Sequence, residues 1–475
     1  MRNKKSVVIN RFDNFSNSND VKIDSFYNYL PKKKLLNSFG VETATFPKLK
    51  NNLNEESLKI SNLNLDSVDG VAYFKQYFPS NQTSVHRILL YGSDKKVYIN
   101  QMLMNNFSLF WLYELQFENA PITLSYKQND ADAIILADKE KMVVWKTNYS
   151  PYTIENVPVI TSMCMNEGVL FCTIQEPAFK IWYATDLNAE NVGNISNNSG
   201  YISLEDDLGY ARKIITFNED VFVIRDYGIS KINNVKNNMK VSQVYQSNTK
   251  IFANTVSVCG NIVMFMTKEG IYSFNGNKVV KTSVDIKELL TNNLDNSVAS
   301  SLGNKYYLAT KLDFNDDKSI LCENDENCVN NSIIIIDIDE FSYQIIRGVD
   351  VKSMLPVKTE LFEKMLLTFN TAHNDKLGQI TEKSSCFGEN LPKHWTSGNL
   401  VEDVNTKLFT KLSVIADAGV TLNLKYDDKN MEFTTYKNGL NEFNFKICCN
   451  TARLEIYSSD ASAEVEKVEF EYYAY

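Results

Sequence analysis

The chain has 475 residues, of which 44% are hydrophobic and 23% are charged. This composition is that of a folded protein with room for two or three ordinary domains, or for one large repeat domain and a smaller one. Its formal net charge of −9 argues against a general binder of polyanions, because phosphate contacts need a basic surface. Its apolar runs are too short to span a bilayer, and the basic start MRNKK is not followed by a signal-like apolar stretch.

Residues 1–70 differ in composition from the rest of the chain. Lys, Asn and Ser dominate, and the apolar pieces, such as 7–9 and 26–30, are short. The pattern fits either an extended arm that lies on neighbouring subunits, or a strand and loops that close a ring. We therefore predict an N-terminal arm and closing segment over 1–70.

One unit recurs between residues 71 and 385: an apolar strand, a short polar or glycine turn, and a second apolar strand. Up to the fifth copy the turns recur roughly every 42–47 residues, which is the length of one four-stranded propeller blade. A lone hairpin is marginally stable in water, so these units must pack side by side around an axis. Six copies occupy residues 88–99, 133–145, 168–183, 214–232, 261–274 and 332–346.

The number of blades depends on how the ring closes. A weaker seventh unit covers 365–380, and the repeat region begins with the strand-like segment 71–78. These two segments form either one closing blade or two separate blades. The sequence therefore predicts an all-β fold with a β-propeller of six or seven blades over 71–385.

The C-terminal part of the chain has a different pattern. Residues 386–405 contain Pro392 and Gly398, break the repeat, and are predicted to be a connector. From 406 to 475, apolar residues alternate with polar ones in successive short strands, separated by turns such as Asn438-Gly439. This alternation predicts a C-terminal antiparallel β-sandwich.

The sequence contains none of the common catalytic motifs. The three histidines, His86, His373 and His394, lie outside the metal-binding and nucleophile motifs, and we interpret them as loop or rim side chains. We predict no catalytic residues, no cofactor and no enzymatic activity. Adjacent acids, such as Asp206-Asp207 and Asp316-Asp317, would suit a glycosidase only if two carboxylates flanked a cleft.

A weak calcium candidate lies in the acidic insertion 313–331. Asp313, Asn315 and Asp317 resemble the start of a calcium loop. An EF-hand also needs glycine at position six and glutamate at position twelve, where this chain has Lys318 and Asn324. A solvated acidic loop is the favoured alternative.

The eight cysteines predict reduced, structural thiols. Cys164, Cys172, Cys448 and Cys449 lie inside apolar, strand-like runs, where a thiol behaves as a small hydrophobe. Zinc-type spacing is absent from the sequence.

Several segments resemble tailed-bacteriophage propeller proteins of the packaged-DNA stabilisation, tail hub or nozzle type. Residues 268–276 (KEGIYSFNG), after the apolar 262–266, resemble the (D/E)GIYxFxG hairpin of that family. Residues 179–191 (FKIWYATDLNAEN) are similar to its strand-plus-loop IYYSxxxDPxxF, with leucine in place of the proline. Further similar segments are 201–204 with 214–232, whose return resembles hGIxKI, and the opening segment 26–40.

The resemblance covers most of residues 20–385 and implies a structural virion protein. Proteins of that family form a ring in the neck or tail, below the portal and adaptor, and a ring of six subunits is favoured. Packaged DNA would pass through the ring channel without sequence-specific binding, and the ring would help to retain or release the genome. The implied location is the virion, after assembly in the host cytoplasm, with no membrane anchor.

Two other readings remain open. A carbohydrate-binding or glycan-hydrolysing propeller at a phage tail tip would need a pocket with aromatic side chains, such as Trp182 and Tyr183, and two carboxylates. An intracellular protein-interaction scaffold is the third possibility, but the WD and kelch signatures typical of such propellers are missing.

Overall fold

Seven four-stranded antiparallel sheets, one eight-stranded sheet and one two-stranded sheet make up the described part of this computed structural model. In the described part of the chain, helix is limited to a 3-10 turn at Lys287–Leu289. The described residues are 4–9, 20–23, 26–29, 41–42, 50–51, 54–57, 65–101, 110–128, 131–187, 198–204, 206–235, 238–284, 286–314, 325–339, 341, 343–359, 363–370, 376–381, 393–460 and 463–474.

Six short strands precede the first complete blade. They are β1 (Lys4–Ile9), β2 (Asp20–Ile23), β3 (Phe26–Tyr29), β4 (Val41–Glu42), β5 (Lys50–Asn51) and β6 (Asn54–Ser57).

The first four blades follow in chain order, each built from four consecutive strands. Blade 1 contains β7 (Val68–Phe78), β8 (Thr83–Gly92), β9 (Lys96–Gln101) and β10 (Trp111–Gln116). Blade 2 contains β11 (Ile122–Gln128), β12 (Ala131–Asp138), β13 (Lys141–Lys146) and β14 (Tyr152–Glu155). Blade 3 contains β15 (Ile160–Asn166), β16 (Val169–Ile174), β17 (Lys180–Ala184) and β18 (Ser199–Ser203). Blade 4 contains β19 (Ala211–Phe217), β20 (Asp220–Arg225), β21 (Gly228–Asn233) and β22 (Lys240–Gln246).

Three more blades complete the ring. Blade 5 contains β23 (Ile251–Cys259), β24 (Ile262–Thr267), β25 (Gly270–Phe274) and β26 (Val279–Lys281). Blade 6 contains β27 (Val298–Leu302), β28 (Lys305–Thr310), β29 (Ser332–Asp337) and β30 (Tyr343–Arg347). Blade 7 contains β31 (Val351–Lys358), β32 (Glu363–Phe369), β33 (Leu377–Thr381) and, from the start of the chain, β6.

The seven blades form a closed β-propeller. The first strands of successive blades contact each other all the way around, and β31 of blade 7 contacts β7 of blade 1. This confirms the predicted all-β propeller and sets the number of blades at seven. The segments 71–78 and 365–380 lie in blades 1 and 7, so they do not share a closing blade.

Blade 7 is closed by a strand from the N-terminal part of the chain. Strand β6 pairs antiparallel with β33, with Glu55 opposite Ile380. The blade therefore combines three strands from the end of the propeller with one from before its start. Main-chain hydrogen bonds across this pair tie the two ends of the ring together.

The sequence repeats correspond to the most buried strands of the blades. Residues 88–99, 133–145, 168–183 and 261–274 span the second and third strands of blades 1, 2, 3 and 5. These strands are covered on both faces by neighbouring blades, and β16 is buried at all six of its positions. Strands that are buried on both faces are continuous apolar runs, and this is why they define the repeat that is visible in the sequence.

Five blades share a polar contact at one end. In each, a side chain near the end of the second strand bonds to a residue that comes just before the first strand. The contacts are Ser67 N to Ser93 Oγ (3.3 Å), Glu118 N to Asp138 Oδ2 (2.7 Å), Tyr210 N to Asp226 Oδ2 (3.0 Å), Ser297 Oγ with Thr310 Oγ1 (2.7 Å) and Asn370 Nδ2 to Asp350 Oδ1 (3.0 Å).

The C-terminal strands form one continuous sheet with strands from the N-terminus. The strands are β34 (Lys393–Ala416), β35 (Thr421–Tyr426), β36 (Lys429–Thr434), β37 (Gly439–Ser458) and β38 (Val465–Ala474), in the order β3-β2-β1-β38-β34-β37-β35-β36. The C-terminal domain is antiparallel β as expected, but a sandwich of two separate sheets is not confirmed. Register shifts in the long pair β34–β37 let both halves of the sheet contribute to one core.

The predicted connector 386–405 needs a correction. Residues from Lys393 onward belong to β34, which pairs with β37 from Lys393 opposite Ser458 onward. Trp395 and Leu400 are buried in the domain core, so this segment packs as a strand despite its broken sequence pattern. Residues 386–392 lie outside the described residues.

Asp427 stabilises the main chain of β37 near its bend. Its carboxylate accepts the N–H groups of Asn450 (3.2 Å) and Thr451 (3.1 Å) and the hydroxyl of Thr451 (3.1 Å). These hydrogen bonds, led by the Thr451 N–H, lower the pKa of Asp427 below its ordinary value of 3.8.

We expect Asp427→Asn to lower the melting temperature by about 2 °C at pH 7. A depressed carboxyl pKa contributes stability above the unfolded value, and this contribution is lost as the pH falls through the folded value. The difference between the variant and the wild type should therefore narrow below pH 3.8. Thermal melts from pH 7 to pH 3 test this, and a difference independent of pH would contradict it.

Candidate functional surface

Polar side chains of the first strands join neighbouring blades around the propeller axis. They bridge five of the seven seams between blades, in addition to the apolar contacts there. The bonds are Ser125 Oγ to Tyr73 O (2.8 Å), Thr216 Oγ1 to Met165 O (2.9 Å), Lys213 Nζ to Val256 O (2.7 Å), Ser301 Oγ to Val258 O (2.5 Å) and Lys352 Nζ to Asp69 Oδ1 (2.7 Å). The ring of blades is thus cross-linked along its inner wall.

Lys213 is the most perturbed base of this inner wall. Its side chain is half-buried, and burial lowers the pKa of its ammonium group to about 8. Its one hydrogen bond in the described structure goes to the carbonyl oxygen of Val256. The group therefore serves as a seam contact between blades 4 and 5.

A buried arginine organises the junction of blades 3 and 4. Arg225, at the end of β20, is only 1% exposed. Its Nε and Nη2 donate to the carbonyl oxygen of Gly209 at 2.9 and 2.6 Å, and its Nη1 lies 2.5 Å from Asp206 Oδ1. The guanidinium thereby anchors the loop that carries the chain from blade 3 to blade 4. Asp206, one of the adjacent acids considered for a glycosidase, forms this ion pair with Arg225.

A second ion pair, between Asp226 and Arg212, orients the end of the same loop near Tyr210. Asp226 accepts the N–H of Tyr210 (3.0 Å) and the Nε–H of Arg212 (2.8 Å). The Arg212 guanidinium lies over the Tyr210 ring, 5.1 Å from its centroid. The ring is consequently presented to solvent on a fixed backbone.

Four large aromatic side chains are exposed around this junction. Phe179, Tyr201, Tyr210 and Tyr227 are 47%, 54%, 52% and 45% exposed. We call these four residues the blade 3–4 patch. The Lys180 ammonium lies 5.9 Å from the Phe179 ring centroid and 5.7 Å from that of Tyr201, so it joins two members of the patch.

Loop-to-loop hydrogen bonds hold the patch together. The N–H of Ala211 donates to the carbonyl of Ala178 (2.9 Å), next to Phe179. The N–H of Tyr227 donates to the carbonyl of Leu208 (2.9 Å), two residues from Tyr210. This patch is not recognisable in the sequence, because its members come from three loops and one strand that are separate along the chain.

The aromatic residues proposed for sugar stacking are not the exposed ones. Trp182 is buried in the core between blades 2 and 3, and Tyr183 is half-buried with its ring 6.4 Å from Phe171. Both therefore fill space within and between blades. Asp207 is exposed beside Asp206, and Asp316-Asp317 lies outside the described residues.

The other candidate residues are not brought together. His86 is half-buried and contacts Tyr73, whose Oη is 2.5 Å from its Nδ1. His394 lies in β34, on the C-terminal sheet, and His373 lies outside the described residues.

The calcium hypothesis remains a prediction. Asp313 is described, and its N–H donates to the carbonyl of Leu289 (2.8 Å). Asn315 and Asp317 lie outside the described residues. In the part of the chain that is described, His, Cys, Asp and Glu residues form no group of three suited to a metal ion.

The described cysteines mostly match their predicted role as buried thiols. Burial raises the pKa of Cys164 and Cys259 to about 12 and that of Cys449 to about 11, so these thiols stay protonated at neutral pH. Cys172 is fully buried as well. Cys448 corrects the prediction, since it is exposed on β37.

Three surface cavities lack the full set of side chains that a glycan-hydrolysing site needs. One of about 760 Å³ between blades 2 and 3 has carboxylates, including Glu118, Asp138 and Glu155, but its described lining lacks aromatic rings. Another of about 760 Å³ beside blades 3 and 4 has Tyr183 and Tyr201 without a described carboxylate. The third, of about 430 Å³, surrounds the turn of Asp427. The combination that sugar hydrolysis needs is met by none of the three.

Several solved structures share the propeller fold at low sequence identity. BBS1N, in a crystal structure with ARL6DN, is 11% identical, with 70% of this chain and 98% of that chain covered and a TM-score of 0.43. Hsv2 of Kluyveromyces lactis is 9% identical, with 55% and 81% covered and a TM-score of 0.33. Raptor of Chaetomium thermophilum is 10% identical, with 64% and 27% covered and a TM-score of 0.35. These likenesses concern the fold alone.

Comparisons at the level of sequence gave no relatives. Neither the models of protein families nor the curated protein sequences match this chain. Among the described residues, no helix has the length and apolar character needed to cross a membrane.

Proposed function

We propose that this protein is a structural virion protein of a tailed bacteriophage. It would act as a neck, tail hub or nozzle subunit that assembles into a homo-oligomeric ring, with a hexamer favoured. The ring would contact the portal, the adaptor and other tail proteins, form part of the DNA channel and help to retain or release the packaged genome.

One observation carries the proposal: the family-like segments occupy consecutive blades in the expected order. The segment that begins at Phe179 covers the third strand of blade 3. The unit 214–232 covers the first three strands of blade 4, and 268–276 contains the turn and third strand of blade 5. All three segments contain the third strand of their blade, and this shared position supports the proposal.

The architecture is compatible with a load-bearing subunit. The ring of blades is closed by β6, and side chains cross-link five of its seven seams along the inner wall. Closed propellers leave only short, protected sheet edges, which suits a component that must not polymerise through its edges.

Reconstitution tests the proposal. The purified full chain is mixed with a portal–adaptor particle of the phage whose genome encodes it, and the products are examined by negative-stain electron microscopy. We expect a ring-shaped layer on the adaptor end of the particle. A chain that stays monomeric and unattached in this mixture would refute the proposal.

A further inference from the structure

We propose that a groove beside the last strands of blades 3 and 4 binds an extended, uncharged peptide segment of a partner protein, which pairs with β18 as an added strand. The groove is the cavity of about 760 Å³ beside these two blades, and we call it the outer groove. Its lining includes residues of β17 and β18 in blade 3 and of β22 and the turn before it in blade 4. The site is additional to the proposed function and does not depend on it.

The last strand of blade 3 has an unpaired edge. β18 pairs with β17 on one side and is the terminal strand of its sheet. Just beyond the strand, the N–H of Leu204 donates to the carbonyl of Phe179 (2.9 Å). Hydrogen-bonded and non-hydrogen-bonded pairs alternate along an antiparallel ladder, so the N–H and C=O groups of Tyr201 and Ser203 point away from β17. In the described part of the chain, these groups have no main-chain partner.

The unpaired edge borders the outer groove. Tyr201 and Ser203, whose main-chain groups point away from β17, both line the cavity. A peptide strand that pairs with β18 would satisfy these donors and acceptors. It would also direct every second side chain to the same face, because side chains alternate along a strand. Main-chain pairing at an open sheet edge combined with side-chain pockets is a recurring mode of peptide recognition.

The floor of the outer groove is apolar. It is formed by five half-buried side chains that pack against the core shared by blades 3 and 4: Tyr183, Ile202, Val235, Met239 and Val241. Tyr183 lies opposite Gly200 of β18, and a Cβ at Gly200 would lie 2.6 Å from Tyr183 Oη. The glycine therefore lets the ring extend across β18. Apolar side chains of a bound segment would remove this floor from water.

The charge of the lining selects the chemistry of the partner. The described lining of the outer groove contains no charged side chain. The cavity of equal volume between blades 2 and 3 contains several, including Glu118, Lys139 and Glu155. Burying a charge without a counter-charge is costly, so the side chains that enter the outer groove must be uncharged. The expected segment alternates apolar residues with uncharged polar ones.

A synthetic peptide tests the inference. The probe has about seven residues, the length of an ordinary strand, with alternating valine and threonine, capped ends and a fluorescent label. Fluorescence anisotropy with the full chain should show saturable binding. Two N-methylated versions, one on the valine amides and one on the threonine amides, test main-chain pairing. A strand that pairs through one edge should lose binding in one version and keep it in the other.

A substitution at the edge isolates the main-chain contribution. Ser203→Pro removes the N–H that faces away from β17 and leaves the ladder with β17 intact, which is where a sheet tolerates proline. We expect it to weaken peptide binding about tenfold or more. Ser203→Ala keeps the N–H and is the matched control, so its affinity should stay within about twofold of the wild type.

A second variant tests the apolar floor. Met239→Glu introduces a charge that a bound segment would bury, and it should also weaken binding about tenfold or more. Thr153 is exposed on β14 of blade 2, away from the groove, and Thr153→Glu should bind as the wild type does. Circular dichroism and melting temperature establish that each variant is folded. Met239→Glu keeps the test decisive if Ser203→Pro does not fold.

Four results would overturn the inference. They are the absence of saturable binding up to about 1 mM peptide, equal binding of both N-methylated versions, equal affinity of the wild type and a folded Ser203→Pro, and equal affinity of the wild type and Met239→Glu. Self-association that Ser203→Pro abolishes, in a chain that binds no peptide, would identify a second copy as the occupant and also contradict the inference. Because the portal–adaptor particle takes no part in this test, its failure would leave the virion proposal standing.

Discussion

Deletion of residues 1–57 is expected to disrupt both domains and to leave an aggregated or insoluble chain. The deleted segment supplies β6, the fourth strand of blade 7, and β1, which lies between β2 and β38 in the C-terminal sheet. Its loss would expose the pairing edges of β33 and β38 at the same time. Exposed strand edges pair with other chains, so we expect aggregation.

A point substitution in β1 tests the effect on the C-terminal domain separately from the effect on blade 7. Val7 is fully buried in the C-terminal core, opposite Phe470 of β38. Val7→Asp places a carboxylate where the described contacts are apolar, and we expect a loss of about 3 kcal/mol or more in the free energy of unfolding.

The control for this experiment lies on the same strand. Lys4 forms an ion pair with Glu471 at 2.6 Å, but its side chain is half exposed. Lys4→Ala should cost less than about 1 kcal/mol, as surface ion pairs usually do. Urea unfolding of both variants measures the difference, and equal losses would contradict the buried role of β1.

Asp206→Ala is expected to reduce the free energy of unfolding by about 1.5–3 kcal/mol. The substitution leaves the guanidinium of Arg225 buried without its counter-charge. The loop that carries Tyr210 would also lose the anchor that Asp206 provides through Arg225.

The neighbouring acid provides a matched control. Asp207 is exposed, and Asp207→Ala should change the stability by less than about 0.5 kcal/mol. Combining Asp206→Ala with Arg225→Met should recover part of the loss, because the double variant no longer buries a guanidinium without its counter-charge. Chemical denaturation of the four proteins, wild type included, measures these effects. Equal losses for Asp206→Ala and Asp207→Ala would show that the ion pair with Arg225 is not the cause.

The blade hairpins could be predicted from the sequence because their strands are buried on both sides. A strand such as β16 reads as an unbroken apolar run between polar turns, and that signal survives without any knowledge of its neighbours. The closing strand β6 (NEES) has no apolar run. Its place in blade 7 depends on pairing with β33, which lies more than 300 residues later in the sequence.

The predicted connector was wrong for a related reason. Gly398 and the polar residues around it break the alternation that marks a strand, yet Trp395 and Leu400 pack into the core. Register shifts in β34 absorb the irregular residues, and such bulges are not visible as a period in the sequence.

The exposed surfaces depend still more on tertiary structure. Trp182 and Tyr183 were considered for stacking on ligands because they are aromatic, whereas the exposed rings are those of Phe179 and Tyr201. Composition gives the number of aromatic side chains in a chain. Which of these side chains face solvent depends on how each blade packs on the next.

By itself, the sequence determined the all-β class, the repeated blades and the separate character of the C-terminal residues, because local apolar patterns encode which strands must be buried. The number of blades, the closure by an N-terminal strand and the joining of both chain ends in one sheet were decided by tertiary structure. These features arise from hydrogen bonds between distant, mainly polar segments, whose pairing energy depends on the partner strand and leaves little trace in the local sequence.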